Sequence, residues 1–206
     1  MPANTESPSS PAAAARGEFI GQTCQTVLRM VQAAAPRREI LARLATAGEV
    51  VAGPGAVVSI LVLDTDGLLR NGASPNLPAD YLDAIDRLKP DPRVGTCAAA
   101  AATGSMVVTP DFRADDKWAE LRHLPLSLGF AGAWSLPIKS ADGTVLGTFG
   151  TYYRERRPPT PEEVRGVEQL AAAAAVALAG CGAAKRGCAD PSPRACTPPV
   201  IAHGPE

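Results

Sequence analysis

The sequence predicts an α+β domain built on a central antiparallel β-sheet, and three observations carry that prediction. The elements come in the order helix, two strands, small helices, a short strand, a hairpin and a closing helix. Two tight turns, Asp64-Thr65-Asp66-Gly67 and Ser140-Ala141-Asp142-Gly143, join neighbouring strand candidates and make them antiparallel. The closing helix carries a complete start signal, with Thr160 as cap, Pro161 in the first helical position and Glu163 completing a capping box.

Taken in order, Ile20, Cys24, Val27, Leu28 and Val31 recur at steps of three and four and predict a leading helix. Pro36 interrupts it and suits the first position of a second helix, whose apolar face is Ile40, Leu41, Leu44 and Val51. Gly53-Pro54-Gly55 ends that helix. Residues 56–63 are β-branched and almost wholly apolar, as expected of a strand covered on both faces. A second strand returns through Leu68, Leu69 and Arg70. Leu77, Tyr81, Leu82, Ile85 and Leu88 trace an amphipathic helix closed by Pro90 and Pro92.

Gly95-Thr96-Cys97 opens a short helix in which Thr96 is the expected N-cap, five alanines follow, and Gly104 supplies the left-handed C-terminal residue. Met106 to Thr109 predicts a short strand stopped by Pro110. Trp118, Leu121, Leu124 and Leu128 predict a helical or irregular stretch distorted by Pro125 and closed by Gly129. Residues 130–138 and 144–153 form the hairpin. Val164, Val167, Leu170, Ala174 and Leu178 then share one face of the last helix.

Residues 1–17 are rich in Pro, Ser and Ala and hold no large apolar side chain beyond Met1, so a disordered tail is expected there. Residues 181–206, punctuated by Pro191, Pro193, Pro198, Pro199 and Pro205, are expected to be disordered too. The folded domain is placed at residues 18–180. The 20 basic and 21 acidic residues nearly cancel, which argues against nucleic acid and against an anionic membrane surface as partners. The longest apolar stretch, Leu170 to Gly180, is about half of what a bilayer-spanning helix needs. Residues 1–15 lack the basic start of a signal peptide. Five scattered cysteines do not form a disulfide framework, and a cytoplasmic protein with reduced thiols is expected.

The runs Trp134-Ser135-Leu136-Pro137-Ile138 and Asp142-Gly143-Thr144-Val145-Leu146-Gly147-Thr148-Phe149 resemble the closing hairpin of GAF domains. Val94-Gly95-Thr96-Cys97-Ala98, and Val107-Val108-Thr109-Pro110-Asp111 followed by Trp118, resemble that family's pocket-side helix and following strand. The subset most resembled occurs in bacterial signalling proteins. The resemblance covers about residues 38–178. It implies a GAF/PAS-like sheet with terminal helices on one face and small helices roofing a pocket on the other. Members bind cyclic nucleotides, haem, bilins or small metabolites, and many dimerise through their terminal helices, so fold alone names no ligand. Where this subset often has Gly after the cysteine, this chain has Ala98, which narrows a pocket at that helix start.

Within this frame the pocket candidates are Thr96, Cys97, Asp111, Trp118, His123 and Trp134. Cys97, at a helix start, is either a thiolate sensor or a small buried space-filler. His123 is either a haem ligand or a surface or capping residue. Trp118 and Trp134 either stack on a ligand or belong to the core, and Asp111 either accepts a ligand hydrogen bond or sits in a turn after Pro110. Cys181, Cys188, Cys196 and His203 have the wrong spacing for structural zinc. No phosphate loop, HExxH pair or GxSxG elbow is present.

The expected function is a non-catalytic sensory domain that binds a small molecule or redox signal. It is expected to act as a homodimer through its terminal helices and to pass its signal to a separate output protein. Two alternatives stand beside it. One is a thiol-dependent reductase centred on Cys97, of the GAF-fold methionine sulfoxide reductase kind, although those enzymes cluster several cysteines about the pocket. The other is a structural dimerisation module whose pocket is filled by its own side chains.

Overall fold

The computed structural model describes residues 11–185, with side chains described over residues 12–179. Five antiparallel strands run in the order β2-β1-β5-β4-β3: β1 (Val57–Leu63), β2 (Leu69–Ala73), β3 (Val107–Thr109), β4 (Gly132–Lys139) and β5 (Val145–Tyr153). Long helices α1 (Pro11–Gln32), α2 (Arg37–Ala52) and α6 (Pro161–Lys185) cover one face. Short helices α3 (Ala79–Ala84), α4 (Thr96–Thr103) and α5 (His123–Ser127), with the 3-10 turn η1 (Asp116–Trp118), lie on the opposite side. The α+β class and its antiparallel sheet are as the sequence predicts.

Strand alternation divides the core into two layers. Val58, Ile60, Trp134, Ile138 and Phe149 pack under α1, α2 and α6, with Leu41, Leu44, Val167 and Leu170 opposite them. Val57, Leu61, Ala133 and Tyr152 face the roof and meet Tyr81, Ile85, Cys97, Phe112 and Trp118. β1 is therefore buried on both sides, as its unbroken apolar run requires.

The capping box at α6 forms as expected. The Thr160 N–H donates to Glu163 Oε2 at 2.7 Å, and the Glu163 N–H donates to Thr160 Oγ1 at 3.2 Å. Pro137 is tolerated inside β4 because β3 pairs only with Ala133 to Ser135. Beyond that point the β4 edge is open and no ladder hydrogen bond is lost. Pro125 falls in the first turn of α5, where its missing N–H has no helical partner to lose.

Four expectations are corrected. α1 starts at Pro11, ahead of Glu18, because the alanine run at residues 12–15 is strong helix former. α6 continues to Lys185, past Gly180. The amphipathic run from Leu77 to Leu88 is helical only over Ala79–Ala84. Arg87 takes a left-handed backbone (φ 62°), and Leu88 O accepts from the Leu69 N–H at 2.8 Å, adding a bridge to the edge strand. Leu28, expected on the buried face of α1, is exposed.

Candidate functional site

The site is built where α4 lands on the sheet. Gly95 (φ 53°, ψ −175°) is the residue that caps α4, in a left-handed conformation that favours glycine. Thr96 is therefore the first helical residue and not the cap, because the sharp turn at Gly95 points it toward the sheet. Its hydroxyl accepts from Ser135 Oγ of β4 at 3.0 Å. Gly104 closes α4 in the expected left-handed conformation (φ 63°, ψ 22°).

Cys97 descends onto β5 at Gly150, where a Cβ would stand 2.8 Å from the sulfur. This close approach needs a residue without a side chain. The thiol lies 3.1 Å from Ser135 Oγ. The Ser135 proton is given to Thr96, so the thiol donates, and a chain runs from Cys97 to Ser135 to Thr96. Burial pushes the Cys97 thiol up, and the neighbouring hydroxyls of Ser135, Thr148 and Thr96 offset this only in part. Of the two readings of Cys97, burial therefore supports the protonated, space-filling thiol over the thiolate. Cys24, the other cysteine with a described side chain, is on α1 across the sheet, its thiol pointing to Gln169 O.

Beside Cys97, the Tyr81 hydroxyl donates to that of Tyr152 at 3.0 Å, with the rings edge to face. Burial raises both phenols, Tyr152 well above its usual range. Trp118 closes the space from above, its ring tilted at 58° against Phe112 with 4.4 Å between centroids. It is 4% exposed, and its indole N–H has no hydrogen-bond partner among the described residues. Between these groups lies a hollow with about 20 Å³ open to the centre of a water molecule. That is room for one water. Leu61, Ile85, Val94 and Leu121 add to its apolar wall, and among the described residues no charged side chain lines it. Val94 and Leu121 also line an outer groove of about 280 Å³, with Asp91, Arg93, Asp116, Lys117 and Glu120 along it.

Of the six sequence candidates, the structure brings Thr96, Cys97 and Trp118 together at this hollow. Trp134 is a correction. It points to the other face, among α1, α2 and α6, where its Nε1 donates to Tyr153 Oη at 2.9 Å. Adjacent strand residues face opposite sides, so Ser135 reaching Cys97 forces Trp134 away. Asp111 lies outside the hollow, in a turn where it accepts from the Arg113 N–H and pairs with Arg156 at 3.3 Å. His123 is exposed at the start of α5 and does not reach the hollow. The tail residues Cys181, Cys188, Cys196 and His203 lie outside the described side chains.

Sequence reasoning missed Ser135, Tyr81 and Tyr152 as site residues. Ser135 carried a signal, a lone hydroxyl between Trp134 and Leu136 in an apolar strand. It also missed Asp115, which fixes the roof. Asp115 accepts from Thr109 Oγ1 at 2.6 Å, from the Lys117 N–H at 3.0 Å and from Lys117 Nζ at 2.7 Å. Burial raises its carboxyl, but these hydrogen bonds outweigh burial and leave it below the usual range.

On the far face, Glu163 joins the sheet to α6. It accepts from Arg157 Nη1 at 2.8 Å and Nη2 at 2.7 Å, and from Tyr153 Oη at 3.1 Å, while the Arg157 guanidinium stacks on Tyr153 at 3.8 Å. Trp134, Tyr153, Glu163 and Arg157 form one continuous network.

A five-stranded antiparallel sheet with long terminal helices on one face and a small-helix roof over a hollow defines a class of domain common in signal reception. The GAF domain family matches residues 34–179, and the chain belongs to that family. A methyl sulfide methyltransferase-associated sensor from Methanosarcina acetivorans is 32% identical over 153 residues. That match covers 74% of this chain and 15% of the relative, so the chain spans under a sixth of that protein's length. Among solved structures, free methionine-R-sulfoxide reductase from Neisseria meningitidis aligns with TM-score 0.65 and 19% identity, covering 88% of this chain and 98% of that one. The GAF domain of a phosphoenolpyruvate-protein phosphotransferase from Coxiella burnetii aligns with TM-score 0.65 and 17% identity, covering 82% and 98%. These two likenesses show the fold.

Proposed function

We propose that the chain is a sensory domain that binds a small molecule in the hollow between β1, β5 and the roof, and reports occupancy through α1 and α6. The observation that carries this reading is the buried, unpartnered Trp118 N–H at a hollow walled by Tyr81, Thr96, Cys97 and Tyr152. A buried donor without a partner costs about 1–3 kcal/mol, and a ligand that accepts from it recovers that cost. The sensor relative supports the regulatory role. The output side is a homodimer formed on the long helices, supported by the exposed apolar side chains Phe19, Leu28, Val50 and Val176 on α1, α2 and α6. A separate signalling protein reads that state, and the compartment is the cytoplasm, in keeping with the free thiols of Cys24 and Cys97.

A thermal-shift screen of metabolites tests the reading, since a ligand selective for the native state raises the melting temperature. A saturable hit abolished by Leu61→Trp, which fills the hollow, is expected. Hits that survive this variant place binding elsewhere and refute the site. The reductase alternative draws on the fold likeness to the Neisseria enzyme. It is disfavoured by the neutral, buried Cys97 and by Cys24 lying across the sheet.

A further inference from the structure

We infer that the hollow selects a compact, uncharged molecule presenting one hydrogen-bond acceptor to Trp118 Nε1. This inference deepens the sensory reading and rests on it. Three observations define the ligand class. First, the lining carries no cation to hold a phosphate or carboxylate and no carboxylate to hold an amine. Its ionisable groups, Cys97, Tyr81 and Tyr152, are kept neutral by burial. An ionic ligand would be desolvated there without compensation. A cyclic nucleotide therefore finds no partner for its phosphate. A haem far exceeds the hollow's volume, and His123 stands outside it.

Second, every other buried polar side chain of the wall takes part in at least one hydrogen bond. Tyr81 donates to Tyr152, and Ser135 to Thr96. The Trp118 indole N–H alone among the lining side chains is fully buried and unpartnered. The ring atoms beside it face Gly95. A Cβ at that position would stand 3.6 Å from Cζ2 and 3.8 Å from Cε2, so Gly95 lies in ordinary contact range of the ring edge that carries the N–H.

Third, Val94 and Leu121 form a thin apolar partition between the hollow and the outer groove. Both are only partly buried. An entering molecule parts these two side chains rather than the sheet, and its apolar body then occupies the widened hollow against Leu61 and Ile85.

The two tryptophans make this testable in one spectrum. Indole N–H resonances of the full chain labelled with nitrogen-15 are followed with three probes of similar size: acetophenone, ethylbenzene and benzoate. Acetophenone is expected to bind saturably and move the Trp118 indole N–H downfield, while the Trp134 N–H, already given to Tyr153, stays in place. Ethylbenzene should bind about tenfold more weakly than acetophenone, and benzoate should not bind. In Trp118→Phe the acetophenone affinity should fall about tenfold, to that of ethylbenzene. If ethylbenzene binds as tightly as acetophenone and the Trp118 N–H does not move, or if benzoate binds as well, the ligand class is wrong while the pocket stands. If none of the probes shifts the amides of Thr96, Cys97 and Tyr152 at millimolar concentration, the pocket reading itself falls.

Discussion

Replacing Glu163 by alanine should cost about 3 kcal/mol of folding stability, and the structure supplies the parts of that figure. The side chain closes the capping box on the Thr160 N–H, a contribution of about 1 kcal/mol. It also receives two guanidinium hydrogen bonds from Arg157 and one from Tyr153. A fully buried pair broken on one side costs about 3–5 kcal/mol, but the Arg157 side chain is 30% exposed and regains water, so about 2 kcal/mol is the appropriate share. Urea denaturation followed by circular dichroism should show a lower midpoint with an unchanged slope. The melting temperature should fall by about 6–12 °C for a domain of this size. Glu163→Gln keeps the shape and the cap acceptor and should lose about half as much. The effect is also pH-dependent. Burial raises the Glu163 carboxyl, but the Arg157 and Thr160 hydrogen bonds outweigh it, and the group lies below its ordinary value of 4.5. Its contribution is therefore present above that value and disappears as the pH falls through the depressed one, so wild type and Glu163→Ala should converge in stability in acid. A loss below about 1 kcal/mol at neutral pH would refute the assignment of this network as the tie between sheet and α6.

Gly150→Ala places a methyl group 2.8 Å from the Cys97 sulfur and should destabilise by about 2 kcal/mol in thermal unfolding. Adding Cys97→Ala should return part of that loss, and strict additivity of the two changes would exclude the contact. Thiol labelling mapped by mass spectrometry should modify half-buried Cys24 well before Cys97, whose rate should follow roof opening rather than reagent concentration. Leu28→Lys with Val176→Lys should shift the sedimentation profile from dimer to monomer at micromolar concentration, and an unchanged profile would remove the long helices as the interface.

The sheet and the closing helix were legible because local chemistry specifies them. Ser140 to Gly143 allows little but a hairpin turn, and Thr160, Pro161 and Glu163 satisfy the first orphan N–H groups of α6 by themselves. The face assignment of Trp134 was not legible. β4 is apolar on both sides, so no polar alternation marks which residues point to the roof, and one residue of register exchanges Trp134 for Ser135. The break after α3 depends on Leu88 pairing with Leu69, and the role of Thr96 depends on the backbone of Gly95. Both are settled by contacts distant in sequence, beyond what propensity and capping preferences carry. Thr96, Cys97 and Trp118 were found through the family likeness, while Tyr81 and Tyr152 read equally well as core residues until their hydroxyls are seen to meet.

The smallness of the hollow has a consequence for the proposed signalling. With room for one water, it cannot accept a ligand of eight or nine heavy atoms without displacing Val94, Trp118 or Leu121. Binding and roof movement are then the same event. Reversing a two-state equilibrium from 1:99 to 99:1 takes about 5.5 kcal/mol of differential affinity. A well-fitted ligand of that size can supply it at well under about 1 kcal/mol per heavy atom. The displacement has a short path to the long helices. Cys97 bears on Ser135, the preceding residue in β4 is Trp134 on the opposite face, and Trp134 holds Tyr153, which holds Glu163 at the start of α6. Spatial continuity alone does not establish coupling. The physical requirement is that ligand affinity and helix packing change each other reciprocally, so a variant that loosens the Glu163 tie must also alter affinity at a hollow on the other side of the sheet.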